Sequence, residues 1–408
     1  MKIRSITIFE PLEWPLKATS LAGAARFLAD ARQRFSSAGF EVQTVRLATP
    51  PFMDVVGSPE PAGLVSFARQ LEAAAGEAGI DYVSIGPVMA DTPRASLAPI
   101  RALPKIIAAT ENIFSGVRLA HSKTGINLAA AREFAQVISD VAHATPNGFG
   151  NLRLAALANV PPGTPFFPAA YHGGQANAGF ALATEAADLA VQAVQSAATP
   201  TEARARLVES IESAAARLLQ TADALVDEHQ LYFNGIDFSL APYPADEASI
   251  AAAVEKLGVD VFGGSGTLFA VALLTSAIRQ ANLPHCGFSG VMLPVLEDSV
   301  LARRAAEGSF SINDLLLYSA VCGTGLDTIP IPGSTAPREM AAILIDMATL
   351  SVTLNKPLTA RLMPMPGLAV GEKIGFDFEF FAASRVLPVK NLGEPTIMDR
   401  EVFFPVRE

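Results

Sequence analysis

The sequence has few cysteines, no dense run of basic residues and no long apolar segment, and each absence excludes a class of protein. Two cysteines, Cys286 and Cys322, are too few for a disulfide framework. The 30 basic residues are outnumbered by 40 acidic ones and are not clustered, so we expect no nucleic-acid partner. The longest apolar run, 268–278, is interrupted by Thr275 and Ser276. It falls short of the roughly 18 residues that a membrane span needs, so we expect no membrane partner.

The composition is nevertheless very apolar. Hydrophobic residues make up 50% of the chain and charged residues only 17%. A parallel sheet covered by helices on both faces explains this, because its strands are nearly continuous apolar runs. Subunit contacts would add to it, and we expect a homo-oligomer. The first nine residues alternate like a strand and lack the apolar centre of a signal peptide, so we expect a cytoplasmic protein.

Strand-like and helical runs alternate along the chain, which predicts a parallel α/β architecture. The predicted strands are 2–9, 41–48, 81–87, 116–120, 152–159, 166–171, 235–241, 287–295, 325–332 and 358–365. The predicted helices are 20–37, 62–78, 124–142, 178–197, 200–230, 246–257, 267–281, 311–321 and 336–353. About ten strands exceed the eight of the common (β/α) barrel. No repeat or charged linker divides the chain, so we predict a single domain spanning 1–408.

Polar side chains share one face of two predicted strands. Asp237 and Ser239 alternate with apolar residues in one strand, and Thr359 and Arg361 do so in another. Because side chains alternate between the two faces of a strand, each polar pair points to the same side. If helices cover the other side, these polar faces point into a barrel. For Asp237, a buried ion pair with Arg361 or Lys356 and a ligand or catalytic role weigh equally.

Two adjacent carboxylates, Glu297 and Asp298, follow the predicted strand 287–295. The carboxyl end of a strand is where α/β proteins place ligand sites. Acids at this position can hold a divalent metal, act as acid and base, or cap the following helix. For Asp298 alone, which precedes a helix-like run, capping is the favoured interpretation.

A glycine-rich loop, 263–267, follows a strand-like run and opens a helix. Backbone N–H groups at a helix start favour an anion, which predicts anion binding by Gly264, Ser265, Gly266 and Thr267. The loop lacks the lysine of a P-loop and the spacing of a dinucleotide motif, and a tight turn that caps the helix is the favoured alternative.

Two further residue types have a functional and a structural interpretation. Cys322 lies among glycines, where a thiol could act as a nucleophile, although a small core residue is the commoner role. His172 precedes a glycine turn and could be a general base, but a structural histidine is favoured. His285 and Cys286 adjoin, and one pair does not make a zinc site.

Several motifs in fixed order resemble the uncharacterised domain-of-unknown-function family 711, also called PFL-like. They are Asp237-Phe238-Ser239-Leu240-Ala241-Pro242, the Gly266-Thr267 helix start, Pro294-Val295-Leu296-Glu297-Asp298, the segment 321–333 beginning Val321-Cys322-Gly323, and Asn355-Lys356 through Arg361 to Pro366-Gly367. The resemblance implies a ten-stranded α/β barrel like that of pyruvate formate-lyase and anaerobic ribonucleotide reductase. There, two five-stranded half-barrels surround a finger loop. The halves would be about 1–160 and 161–391, followed by a tail, 392–408.

Glycyl radical chemistry is not expected, despite this resemblance. The radical motif of those enzymes ends in glycine and an aromatic residue, whereas this chain has Arg385-Val386-Leu387-Pro388. No cysteine cluster is present for an iron–sulfur centre. Cys322 could occupy the position of the finger-loop cysteine, but it would lack a radical partner.

Two hypotheses therefore lead. The first is an enzyme acting on a small anionic metabolite, with Asp237, Glu297 and Cys322 as catalytic residues, Lys356 and Arg361 as anion ligands, and Asp237, Glu297, Asp298 and Asp327 as ligands of a divalent metal. The second is a binding or regulatory protein that uses the same pocket without turnover. The resemblance implies a regulatory partner for the second hypothesis, because relatives are often encoded beside small ACT-type amino-acid-sensing proteins.

Overall fold

The computed structural model describes residues 1–58, 60–390, 392 and 397–406 and has a mixed α/β fold built on a large, mostly parallel sheet. The strands are β1 Lys2–Phe9, β2 Val42–Ala48, β3 Tyr82–Met89, β4 Ile113–His121, β5 Gly125–Asn127, β6 Leu154–Ala158, β7 Gly179–Glu185, β8 Tyr232–Asp237, β9 Gly325–Pro332, β10 Leu358–Met365, β11 Lys373–Ile374, β12 Ser384–Arg385 and β13 Phe403–Pro405. Residues 393–396 and 407–408 of the predicted tail lie outside the described part.

Helices connect most of these strands. They are α1 Ala22–Ser37, α2 Phe52–Val56, α3 Pro61–Glu77, α4 Ala98–Ala108, α5 Leu128–Ala144, α6 Ala187–Gln195, α7 Pro200–His229, α8 Ile250–Lys256, α9 Thr267–Gln280, α10 Ser299–Glu307, α11 Ile312–Ser319 and α12 Pro337–Leu354, with short 3-10 turns at Pro146–Arg153, Asp246–Ala248 and Ile397–Asp399. Within the described ranges, none of these helices combines the length and apolarity required to cross a bilayer.

The sheet consists of two sets of strands that run in opposite directions. Its order is β8-β7-β1-β2-β3-β4-β6-β10-β9. Strands β1, β2, β3, β4 and β6 are mutually parallel, as are β7 with β8 and β9 with β10. The two sets meet in antiparallel pairs, β1 with β7 and β6 with β10. The carboxyl ends of β7, β8, β9 and β10 therefore lie at the same end of the sheet as the amino ends of β1, β2, β3, β4 and β6.

Segment 284–295 lies between the two edge strands of this path. It was predicted as a strand over 287–295, but it forms only single parallel bridges: from His285 to Ile236 of β8, from Val291 to Leu240 just beyond β8, and from Pro294 to Asp327 of β9. Its backbone leaves the extended region at Gly287 and Ser289, with φ of 61° and 39°. A continuous ladder cannot pass through those two residues.

Two sequence predictions are wrong between residues 166 and 197. Residues 166–171 form no strand; Pro165 and Pro168 lack the N–H donors that a ladder needs, and this loop instead packs on the sheet face opposite the helices. The predicted helix 178–197 is strand β7 followed by helix α6. Every residue of β7 is buried, so its run of apolar residues carried no alternation to distinguish strand from helix.

Helix α7 begins where the sequence predicts. The Thr199 hydroxyl accepts a hydrogen bond from the backbone N–H of Glu202 at 3.2 Å, and Pro200 occupies the first helical position. Its buried residues, Ala203, Leu207, Ile211, Ala215, Leu218, Ala222 and Leu225, recur at three- and four-residue spacing. The helix buries this stripe against the core and leaves its polar face exposed.

Candidate functional site

A cavity of about 80 Å³ lies at the end of the sheet where the carboxyl ends of β7 to β10 meet. Its polar lining is Arg4, Gln43, Thr44, Arg46, Thr184, Asp237, Ser239, Glu297 and Arg361, and its aromatic lining is Tyr82, Phe114, Phe166, Phe167, Phe378 and Phe380. A space of this size holds several water molecules or a small metabolite.

Two arginines and three carboxylates form a buried network at the cavity. Arg361 donates through Nε to Asp327 at 2.6 Å and through Nη2 to Glu297 at 3.0 Å. Glu297 also accepts from Arg4, whose other terminal nitrogen lies 3.6 Å from Glu185. Burial raises the pKa of Asp327 and of Glu185, although the neighbouring guanidinium groups oppose that rise. These charges stabilise one another in a region from which water is largely excluded.

Irregular strand pairing positions both arginines of this network. The pairing of β1 with β7 shifts register between Ile3 and Ser5, at Arg4. The pairing of β10 with β9 shifts between Ala360 and Leu362, at Arg361. Such bulges re-aim a side chain relative to a regular strand and are common beside functional sites. The local backbone therefore turns two cations toward the same point.

A third arginine, Arg46 of β2, lines the cavity without a carboxylate partner among the described residues. Its Nε donates to the Thr44 hydroxyl at 2.8 Å. Its guanidinium carbon lies 5.6 Å from the ring centroid of Tyr82 and 5.1 Å from that of Phe167. Burial, assisted by the nearby Arg4, lowers the pKa of Arg46 to about 9. At neutral pH the group is still a cation, held by aromatic faces and not by an anion.

Asp237 lies in the cavity wall and joins β8 to the segment that follows α9. It is fully buried and accepts hydrogen bonds from the Ser239 hydroxyl at 2.5 Å and from the backbone N–H groups of Phe288 and Ser289 at 3.0 and 2.9 Å. A Cβ on Gly287 would lie 2.2 Å from its Oδ2. Burial raises the pKa of Asp237, and the three donors oppose that rise. The carboxylate thus holds the chain where the sheet has only single bridges.

An aromatic hairpin forms one wall of the cavity. Strands β11 and β12 pair with each other, apart from the main sheet, and the loop between them carries Phe378 and Phe380. The loop is anchored by a hydrogen bond from the Ala382 N–H to the Leu296 carbonyl at 2.7 Å. On the other side, Phe166 lies 5.6 Å from the Arg361 guanidinium. Aromatic rings on both sides lower the local polarity around the charged network.

Asp298, Lys356 and Cys322, which the sequence assigned to the site, lie outside both the cavity lining and its charge network. Asp298 caps α10 by accepting from the Leu301 N–H at 2.9 Å, and its other oxygen accepts from the N–H of Ile250 at 2.7 Å. Lys356 donates to the carbonyls of Ser319, at 2.7 Å, and Cys322, at the carboxyl end of α11. The Cys322 side chain is fully buried in the hydrophobic core. Capping and core packing are thus the roles that these residues visibly fill.

The glycine-rich loop also lies apart from the cavity. Gly266 takes φ of 101° at the start of α9, and the Thr267 hydroxyl donates to the Gly264 carbonyl at 2.8 Å and accepts from the Gly263 N–H at 3.1 Å. Ser265 adds no hydrogen bond within the described residues. The hydroxyl of Thr267 is engaged inside the loop, as in the tight turn favoured by the sequence.

The predicted metal ligands do not converge on one point. Among the described residues, the one group of three or more potential ligands whose atoms lie within 4.8 Å of one another is Asp30, Glu228 and His229. Arg34 pairs with both acids of that group, so a cation already occupies it. Glu297 and Asp327 share Arg361, whereas Asp237 and Asp298 are each tied to separate backbone donors.

Sequence reasoning missed Arg4, Arg46 and Glu185. Arg46 and Thr44 share one face of β2, in the same alternation that identified Asp237 and Arg361, so this signal was present. Arg4 was not singled out because the polar residues of β1 change phase between Arg4 and Ser5, where the pairing with β7 shifts register. Glu185 gave no alternation signal because every residue of β7 is buried.

The chain matches the family model described as Uncharacterised ACR (DUF711) over residues 1–379. It is 34% identical over 364 residues to a UPF0210 protein of Pyrobaculum arsenaticum, which covers 85% of this chain and 79% of that protein. A UPF0210 protein of Desulforudis audaxviator is 31% identical over 373 residues, covering 88% and 82%. A UPF0210 protein of Listeria innocua is 29% identical over 376 residues, covering 90% and 83%.

Proposed function

Because this chain belongs to the DUF711 (UPF0210) family, whose description names no reaction, we propose a function from its cavity: it binds a small anionic metabolite there. Arg46 would receive the anionic group, with the network of Arg4 and Arg361 beside it. A carboxylate or phosphate fits a guanidinium fork through paired hydrogen bonds. The aromatic lining would contact the less polar part of the ligand.

The observation that carries this proposal is that, within the described ranges, no carboxylate lies at ion-pair distance from Arg46. A cation taken partly out of water loses solvation energy, and folded proteins recover that energy by pairing it. Arg4 and Arg361 are paired in this way, but Arg46 is held only by Thr44 and two rings. A bound anion would complete its coordination.

The arrangement favours recognition over acid–base catalysis. A general base needs a lone pair free to take a proton from the ligand. In the cavity lining, Asp237 accepts three hydrogen bonds and Glu297 accepts from two arginines. We therefore place the non-catalytic binding role ahead of the enzymatic one. A partner of the ACT type remains a prediction from the family resemblance.

Closure of the sheet into a ten-stranded barrel is part of the same proposal. If segment 284–295 is taken as a tenth strand, its single bridges to β8 and β9 would close the sheet into the barrel that the resemblance implies. The cavity would then lie inside that barrel. A homo-oligomer in the cytoplasm remains the expected setting.

Thermal unfolding with a panel of small anions tests this function. We expect phosphate or a small carboxylate to raise the melting temperature of the wild type, because a ligand at about a hundred times its dissociation constant adds about 2.7 kcal/mol. Arg46→Met should abolish the increase. Arg217→Met is the matched control, since Arg217 also lies over an aromatic ring, 4.6 Å from the Phe40 centroid, but on the surface. An equal increase in both variants would refute the assignment of Arg46, and no increase with any anion would refute anion binding.

A further inference from the structure

A second cavity, of about 360 Å³, lies at the opposite end of the sheet from the first. Its lining includes Phe9, the last residue of β1, and Gly179 and Tyr232, the first residues of β7 and β8. It is therefore at the carboxyl ends of the set β1, β2, β3, β4 and β6, as the first cavity is at the carboxyl ends of the other set. Ligand sites of α/β proteins occur at this end of parallel strands.

Three amide side chains face this cavity with their hydrogen-bonding groups free. Gln175, Asn177 and Asn234 all line it, and across the described chain none of the three side chains has a protein hydrogen-bond partner. Each amide offers a donor and an acceptor side by side. Among the described residues, the ionisable side chains that line the cavity are the neutral imidazole of His172 and the phenol of Tyr232.

The backbone around Asn234 is shaped to position its amide. Asn234 is the extra residue where the pairing of β7 with β8 shifts between Phe180 and Ala181, so its side chain leaves the regular alternation. A Cβ on Gly163 would lie 2.3 Å from its Nδ2, and a Cβ on Gly179 would lie 2.7 Å from its Oδ1. Both glycines are therefore needed to leave room for the Asn234 amide.

His172 braces the loop that carries the other two amides. Its backbone N–H donates to the Thr49 carbonyl at 2.9 Å, and its Nδ1 accepts from the Gly174 N–H at 3.1 Å. Burial lowers the pKa of His172, so the neutral ring presents an Nε2–H to the Asn177 carbonyl at 3.3 Å. Both ring nitrogens are engaged within the loop, which leaves ligand contact to the amides.

We propose that this second cavity binds an uncharged nitrogen heterocycle of the nucleobase class. An amide pairs bidentately with adjacent donor and acceptor atoms on such a ring. Tyr232, which is 69% exposed at the cavity wall, supplies a face for stacking. No lysine or arginine among the described residues lines the cavity, so a phosphate group would gain nothing there. The proposal is independent of anion binding in the first cavity.

Calorimetric titration of the full-length protein with adenosine tests this site. We expect saturable binding to the wild type, with AMP binding no more tightly. Asn234→Leu should weaken adenosine binding about tenfold or more, since a bidentate pair contributes roughly 1–3 kcal/mol. Tyr232→Ala should weaken it by a similar factor through lost stacking. Gln220→Leu, the same amide-to-apolar change at an exposed position of α7, and Arg46→Met should both bind as the wild type does.

Three results would overturn the proposal: no binding of adenosine at millimolar concentration, unchanged affinity in both cavity variants, or markedly tighter binding of AMP. If Asn234→Leu does not fold, Tyr232→Ala decides alone, because an exposed side chain can be truncated with little effect on folding. Loss of adenosine binding in Arg46→Met would also contradict a separate site.

Discussion

Replacing Arg361 by methionine should remove the centre of the buried charge network. The side chain is 5% exposed and donates to Asp327, to Glu297 and to the Leu152 carbonyl. Methionine fills much of the volume but leaves Asp327 with no cation at ion-pair distance in the described residues. Removing one partner of a buried pair costs about 3–5 kcal/mol, so we expect a loss of this size in the free energy of unfolding. Urea denaturation at constant m-value measures it.

The pH dependence of the Arg361→Met variant provides a second readout. Without Arg361, the folded-state pKa of Asp327 should rise further above its ordinary value, because burial already raises it. The folded variant would then take up a proton as the pH falls, so its deficit relative to the wild type should shrink toward acid. Arg101→Met is the control: Arg101 pairs with Glu133 at 2.7 Å on the surface, where such a pair contributes about 1 kcal/mol or less. Equal losses in the two variants, or a deficit that does not change with pH, would refute the reasoning.

Three further substitutions test other parts of the description. Asp298→Ala should lower the free energy of unfolding by about 2–4 kcal/mol in urea denaturation, because the first turn of α10 and the buried donors of α8 lose their acceptor. The control Asp246→Ala, at an exposed acid that accepts from Ser299, should cost about 1 kcal/mol or less. Similar losses in the two variants would contradict the capping role of Asp298. Cys322→Ala should leave anion-induced stabilisation in thermal unfolding unchanged, and its loss in a folded variant would restore Cys322 as a site residue. Burial raises the pKa of Glu10 to about 7, so its carboxyl group favours the folded state at low pH and this advantage is lost as the pH rises through about 7. The stability of the wild type relative to Glu10→Gln, measured in urea at about pH 5 and 8, should therefore fall between those values, and a constant difference would contradict the raised pKa.

Strands and helices were predicted correctly from the sequence where their polar and apolar residues alternate strongly or a capping residue marks an end. Strands β1, β2, β9 and β10 and helix α7 lie within a residue or two of their predicted bounds, because alternation or capping marked them. Strand β7 was missed because every one of its residues is buried. The apolar loop at 166–171 resembled a strand because it too is buried, although it makes no ladder.

The site was predictable where charges lie on alternating strands. The sequence indicated Asp237, Glu297 and Arg361, which line one cavity, and Asp327, which pairs with Arg361. It also grouped Lys356 and the loop 263–267 with them, although these lie at helix ends away from the cavity. Proximity in sequence to a strand end does not reveal which end of the sheet a residue faces when the sheet contains two opposed sets of strands. Arg4 became visible only through the register shift that points it inward.

The most direct test of anion binding is a crystal of the wild-type protein soaked in selenate, with anomalous scattering used to locate the ion. We predict a peak inside the first cavity that places a selenate oxygen about 3 Å from an Arg46 guanidinium nitrogen, and no such peak in Arg46→Met crystals. Selenate found only on the protein surface, with water alone beside Arg46, would contradict the assignment of this cavity as an anion site.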